Sequence, residues 1–287
     1  TDFNYYEEGK RMPEQSKRYG NILPSLSLSL PVGKIQMQLS YGATIKRPSY
    51  YDMRSGIGYD NRYTYESGNP FLVSEISRNI NYTVSYKWLM AEGIYTHVSS
   101  PIVMLTQSYN DNPNIALIQN VNWKPYNRIG ASLAASPKIG IWHPSFSFYF
   151  FKQCFDMDTY GGHRLDNPKV TIRFDNTIDT KLCTVSLMLL AQTSGDDETS
   201  YMYRNYFCTN LSIYKSFLKG KLIVFFYAND LLGTGNTHSR MYSGAMREIV
   251  HHDYSISDFS LTIRYRFNAL KGKYKGTGAG QEQKSRM

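Results

Sequence analysis

Residues Ile35–Lys46 alternate apolar and polar side chains for twelve positions without a fault, from Ile-Gln-Met-Gln through Leu-Ser-Tyr-Gly to Ala-Thr-Ile-Lys. Only an extended strand sorts such a pattern by face, because strand side chains alternate sides whereas helical faces recur every 3.6 residues. Ile35, Met37, Leu39, Tyr41, Ala43 and Ile45 share one side; Gln36, Gln38, Ser40, Gly42, Thr44 and Lys46 share the other. The run exceeds the globular strand length of about five or six residues and suits a tilted membrane-crossing strand, which needs roughly 9–11. The stretch 258–267 obeys the same rule, with Phe259, Leu261, Ile263, Tyr265 and Phe267 opposite Ser260, Thr262, Arg264 and Arg266.

Composition supports strands throughout. Aromatic residues make up 15% of the chain, with 25 Tyr and 14 Phe, and such side chains favour sheets over helices. The longest strongly apolar run, residues 222–228, has seven positions, far short of the ~18 that a spanning helix needs. A membrane role therefore requires a β-barrel. The net charge of +9 is concentrated in part at residues 270–287, which hold five basic residues and one acid. No basic helical face or nucleic-acid motif accompanies it, so nucleic acid is not an expected partner. Cys154, Cys183 and Cys208 are odd in number and lack CxxC spacing, so neither a disulfide framework nor a zinc site is expected; no cofactor is implied. The sequence opens Thr-Asp-Phe, and the expectation is a processed start or a piece of a longer chain.

The spacing predicts about eleven strands, near 25–30, 35–46, 76–88, 93–106, 114–135, 145–153, 169–179, 182–192, 204–216, 222–230 and 258–267. Pro101 marks a bulge or kink, and Pro125 interrupts the fifth strand, which alternatively divides in two. Residues 1–20 read as a loop, 21–268 as strands and loops, and 269–287 as a flexible polar tail. Connections alternate in length: 31–34, 89–92, 137–143, 179–181 and 217–221 are short, while 47–75, 107–113, 155–168, 193–203 and 231–254 are longer. A soluble sandwich has no reason to gather its long loops at one end, whereas an outer-membrane barrel does. The expected fold is an all-β, antiparallel transmembrane β-barrel segment facing lipid with its apolar rows. Single-chain bacterial barrels have even strand numbers, so an odd count predicts part of a larger wall.

The segment Tyr65-Glu66-Ser67-Gly68-Asn69-Pro70-Phe71-Leu72-Val73-Ser74-Glu75 resembles the Ser-Gly-Asn-Pro segment after a long barrel loop in TonB-dependent receptors, with Ser74 where that family usually has Pro. Upstream, Arg47-Pro48-Ser49 resembles the strand end that precedes the loop. The closing strand and Tyr274-Lys275-Gly276-Thr277-Gly278-Ala279-Gly280 are similar to the C-terminus of the outer-membrane β-barrel branch of that superfamily. The resemblance implies half of a 22-stranded barrel in the cell outer membrane, contributing wall and external loops to uptake of a nutrient such as a metal chelate, glycan or peptide. It also implies an N-terminal plug and barrel half outside this chain, a TonB energy-coupling complex, lipid and lipopolysaccharide around the wall, and a surface lipoprotein as a further partner. The alternative is a non-transporting outer-membrane barrel with a structural or secretion-associated role.

Candidate ligand contacts are the loop tyrosines Tyr50, Tyr51, Tyr59, Tyr63 and Tyr65, whose amphipathic rings stack on ligands or pack their own loop. Arg128, Arg173, Arg264 and Arg266 lie on polar faces and are candidate lumen or plug contacts. His251-His252-Asp253 reads as a solvated loop, since neighbouring side chains diverge and no third ligand has a recognisable spacing. Asp196-Asp197-Glu198 reads as an acidic loop tip, with a divalent-cation role as the sharper option. Ser145, His143 and Asn167 carry no hydrolase motif, and no catalytic residue or metal site is expected.

Overall fold

The computed structural model describes residues 2–3, 6–12, 17–18, 20–244, 246–252 and 257–267. Its wall is one eleven-stranded sheet. The strands are β1 (Ser25–Val32), β2 (Ile35–Lys46), β3 (Glu75–Tyr86), β4 (Leu89–Ser99), β5 (Tyr126–Ala135) and β6 (Trp142–Cys154). They continue as β7 (Lys169–Asp179), β8 (Thr184–Gln192), β9 (Tyr206–Phe217), β10 (Leu222–Asn229) and β11 (Asp258–Tyr265). Each pairs antiparallel with the next, which makes an up-and-down meander. Among the described residues the sheet is open, because β1 and β11 each have a single neighbour.

Register carries the apolar row of β2 across the whole wall. Leu28 opposes Leu39 and Leu39 opposes Tyr82. One row up the strands, Tyr41 faces Ile80, Ile80 faces Tyr95, and Tyr95 faces Ile129. Farther along, Phe148 faces Ile172 and Ile172 faces Ala191; the last strands join Phe226 to Leu261. Directly opposed side chains share a face, so these rows form one apolar surface. That surface is uncovered, with Leu39 at 45%, Ile129 at 45% and Ile172 at 39% exposure. An apolar sheet face of this size is costly in water at roughly 25 cal/mol per Å² and matches the hydrocarbon-facing band of an outer-membrane barrel.

Three sequence expectations require correction. The turn assigned to 89–92 sits earlier, at Lys87 and Trp88, where Lys87 takes a left-handed φ of 52° and Tyr86 pairs with Leu89. The strand expected to reach 106 leaves the wall at Ser100, with φ 51°, and Pro101. The long fifth strand does divide at Pro125: Asn112–Asn122 turns back against Ile102–Tyr109, and only Tyr126–Ala135 belongs to the wall. The connection from β4 to β5 is thus one long excursion, which makes the alternation of short and long connections more pronounced. The tail 269–287 lies outside the described residues.

The described core is not inside the sheet. Val98, Val103, Tyr126, Phe155, Met157, Leu165 and Tyr242 form a buried cluster joined by Val121, Trp123 and Tyr201. These residues come from the long-connection ends of β4 and β5 and from four of the long connections. The loops therefore pack on each other over one rim of the wall.

Candidate functional site at the external rim

Two small four-stranded sheets stand on that rim. The first runs Ile102–Tyr109, Asn112–Asn122, Thr64–Ser67 and Ile57–Asn61, with Asn112–Asn122 and Thr64–Ser67 parallel. The second runs Gly195–Asp197, Ser200–Met202, Thr237–Ser243 and Met246–His252. Ser243 ties the two together: its Oγ accepts the Thr106 N–H and donates to the Met104 carbonyl.

The Arg47-Pro48-Ser49 and Ser67-Gly68-Asn69-Pro70 segments meet at Asp52. Its carboxylate accepts hydrogen bonds from the Ser49 N–H at 3.0 Å, the Ser49 hydroxyl at 2.6 Å and the Asn120 amide at 2.9 Å. Burial works to raise the Asp52 pKa, but the Ser49 and Asn120 bonds and the charge of Lys46 together hold it below the usual carboxylate value. Asn69 donates its N–H to the Asp52 carbonyl at 2.6 Å and its side-chain amide to the Asn120 carbonyl at 3.2 Å. Gly68 is needed for contact rather than conformation, since a Cβ there would stand 2.3 Å from the Arg54 carbonyl oxygen. Ser74 is buried, and among the described residues its Oγ has no hydrogen-bond partner.

The loop tyrosines do not converge on one point. Tyr59 and Tyr65 pack at 5.6 Å, and Tyr65 meets Tyr109 edge-on at 4.9 Å. Tyr51 lies under the Arg54 guanidinium at 3.5 Å and donates its hydroxyl to Glu66. Tyr63 has the Arg62 guanidinium 6.0 Å from its ring, and Tyr50 is the most open of the five at 76% exposure. Tyr65 and Tyr109 are therefore an aromatic ledge built into the first rim sheet, and Tyr109 was missed because its strand was read as wall and loop.

The arginines divide into two kinds. Arg128 donates to Tyr126 and Glu198 and sits over the Tyr126 ring at 4.9 Å. Arg173 makes a two-pronged pair with Asp175, at 2.7 and 2.9 Å. Arg264 and Arg266 are exposed and make no ion pair among the described residues.

Asp196-Asp197-Glu198 is not a free acidic tip. Asp196 is fully buried and receives His163 Nε2 at 2.8 Å and the Asn167 N–H at 2.8 Å. Asp197 pairs with Lys169, and Glu198 with Arg128. Only Asp196 is turned inward by the short Gly195–Asp197 strand; Asp197 and Glu198 stay exposed to water while pairing with their partners at the rim. His163 is itself sandwiched between Tyr201 at 4.3 Å and Tyr242 at 4.9 Å. Ser145 and His143 lie at the opposite end of β6 from the rim, where Ser145 contacts Ser136 and His143 lies 3.6 Å from Asp179. Asn167 is on the rim side, so these three do not assemble. His251 is placed against Tyr203 and His238; the side chain of His252 and all of Asp253 lie outside the described residues. Among the described residues, no group of three or more His, Cys, Asp or Glu is poised for a metal ion.

Residues 1–265 match the model of the outer membrane protein beta-barrel family. The chain belongs to that family. Membership places this family member in the outer membrane, and the expected likeness to TonB-dependent receptor barrels holds at the level of fold. Solved structures of similar fold include the siderophore receptor PirA from Pseudomonas aeruginosa, at 16% identity and TM-score 0.58 over 78% of this chain and 42% of that one. A mutant of the ferric enterobactin receptor PfeA from Pseudomonas aeruginosa, in complex with enterobactin, aligns at 15% identity and TM-score 0.55, over 86% of this chain and 41% of that one. The copper transporter OprC aligns at 10% identity and TM-score 0.62, over 92% of this chain and 41% of that one. This family member thus spans about two-fifths of the length of the solved proteins it matches. No curated protein matches the chain.

Proposed function

We propose that this chain is the C-terminal half of the barrel of a TonB-dependent outer-membrane receptor, supplying wall and external loops for uptake of a metal ion or metal chelate. The observation that carries this is the direction of the edge strands. β1 and β11 both run from the long-connection end to the short-turn end of the wall, since ten antiparallel steps separate them. Closing β11 onto β1 would demand a parallel seam. An antiparallel closure needs an odd number of further strands, and eleven more give the 22-stranded wall that leaves room for a plugged lumen. A pair of identical copies inserted in the same direction and joined edge to edge would meet the same parallel mismatch at both seams.

The siderophore and copper specificities of the solved relatives favour a metal-containing cargo over a glycan or peptide. Tyr50, Tyr51, Tyr59, Tyr63 and Tyr65 are proposed to meet it at the rim, with the Tyr65–Tyr109 pair as the rigid part. Arg128 and Arg173 are occupied by wall and loop acids, so Arg264 and Arg266 are the proposed contacts for whatever fills the lumen. Lipid and lipopolysaccharide are the proposed surroundings, with the plug, the coupling complex and a surface lipoprotein as proposed partners. The chain's part in this is binding and enclosure, with no catalytic step.

The test is uptake of radiolabelled ferric chelates and copper by cells carrying the full-length protein, with and without a functional energy-coupling complex. Coupling-dependent uptake is the expected result. A full-length protein with neither a plug nor a coupling segment, or uptake indifferent to coupling, would replace this proposal with the non-transporting scaffold.

A further inference from the structure

The second rim sheet brings together three donor atoms that neither the wall nor the proposed enclosure of a cargo uses. In the hairpin formed by Thr237–Ser243 and Met246–His252, His238 and His251 are directly opposed residues, and directly opposed side chains stand on one face at close range. Their Nδ1 atoms are 3.2 Å apart. Tyr203 is strapped to the same hairpin by its N–H, which donates to the His238 carbonyl at 3.1 Å. Its hydroxyl lies 3.1 Å from the same His251 Nδ1. The Arg240 guanidinium lies over the Tyr203 ring at 4.7 Å.

We infer that His238, His251 and Tyr203 form a binding site for a single transition-metal ion, of the divalent copper or zinc class, on the outer face of the rim. Imidazole nitrogens bound at about 2.0–2.1 Å with near-tetrahedral angles stand about 3.3 Å apart, and the two histidines already hold that spacing. A hydrogen bond between the same nitrogens requires one ring to donate and the other to accept; an ion takes both as neutral acceptors and removes that restriction. The phenol oxygen supplies the third donor, releasing its proton to solvent as the ion binds, and water completes the shell. His251 is exposed while His238 and Tyr203 are half-buried, so an ion reaches the site without rearrangement of the sheet. Imidazole and phenolate together suit copper or zinc better than calcium or magnesium, which prefer an all-oxygen shell. This site does not depend on the uptake reading, since binding is measured without transport.

The experiment is a titration of the full-length protein, free of any histidine tag and held in detergent micelles, with copper(II) sulfate and separately with zinc chloride. One saturable equivalent that the His238→Ala/His251→Ala double variant lacks is expected, apart from any copper held at a cargo site. His238→Ala and His251→Ala should each weaken it by at least about tenfold, as loss of a ligand does. Tyr203→Phe should keep the stoichiometry, weaken the affinity by about tenfold, and abolish the phenolate-to-copper absorption band. His97→Ala, in the wall, should change nothing. Where a hairpin variant misfolds, the wild type still decides: bound metal should protect His238 and His251, and not His143, from diethyl pyrocarbonate as read by mass spectrometry. Absence of a saturable equivalent in the wild type, unchanged binding in a His238→Ala/His251→Ala double variant, or equal modification with and without metal would each overturn the site.

Discussion

Leu39→Arg places a charge on the apolar face of the wall at a depth set by the strand. Leu39 is four residues beyond Ile35 at the short-turn end of β2, so at ~3.3 Å per residue and a tilt of ~40° it lies ~10 Å above that rim, close to the middle of a ~25 Å apolar band. An arginine near the midplane of a barrel's lipid face costs about 2–4 kcal/mol, a factor of roughly 30 to 700 in the folded population. Leu28 and Tyr82 flank the position, and neither offers the guanidinium a carboxylate. Ser40→Arg, one residue on, points to the polar face and should cost roughly nothing at the same depth. Ile35→Arg, at the rim, should fall to about 0–1 kcal/mol. Urea unfolding of the full-length protein in phospholipid vesicles, followed by tryptophan fluorescence, measures all three. A larger loss for Ser40→Arg than for Leu39→Arg would refute the assignment of faces and, with it, lipid as the solvent of the apolar rows.

Gly68→Ala forces a Cβ into the Arg54 backbone, at 2.3 Å from its carbonyl oxygen, and should cost about 1–3 kcal/mol of local order; limited proteolysis should cut the 47–75 loop faster while the wall stays intact. Asp52 is held below the ordinary aspartate value by Ser49, Asn120 and Lys46 in spite of burial. Its contribution to loop order is therefore complete above about pH 4 and lost as pH falls through the lower folded value. Protease resistance of the 47–75 loop should drop across that acid window in the wild type and be flat in Asp52→Asn. For Arg128 and Glu198, whose side chains are 27% and 54% exposed, solvent screening reduces the pair to about 1 kcal/mol. A double-mutant cycle with Arg128→Gln and Glu198→Gln reads the coupling as loosening of the 193–203 loop, and a value near zero would remove Arg128 as that loop's anchor.

Much of the wall was legible because one face is apolar from end to end. In β2 and β11 a register slip of one residue would turn Leu39 or Ile263 into the lumen and Ser40 or Thr262 into lipid, so periodicity fixed both the element and its facing. The excursion between β4 and β5 was not legible for the same reason in reverse. Ile102–Tyr109 and Asn112–Asn122 are strands too, and alternation does not say which sheet a strand joins. Ser100 and Pro101 mark the departure, but a kink within the wall and an exit from it look alike in sequence. Asp196 was misjudged as a loop tip because three consecutive polar acids look solvated. Only the fold shows that His163, Lys169 and Arg128 arrive from three other places to receive them.

The sequence by itself determined that the chain is a run of amphipathic strands too long and too aromatic for a small soluble sheet, with its long connections on one side. Period-two alternation is a local property, and hydrocarbon on one face with water on the other imposes it residue by residue. The tertiary structure alone decided that four of the five long connections build two further sheets, that the Arg-Pro-Ser and Ser-Gly-Asn-Pro segments close on Asp52, and that His238, His251 and Tyr203 converge. Those contacts join residues far apart in the chain through hydrogen bonds and ring packing, whose partners are chosen by register and loop closure rather than by any neighbour in sequence.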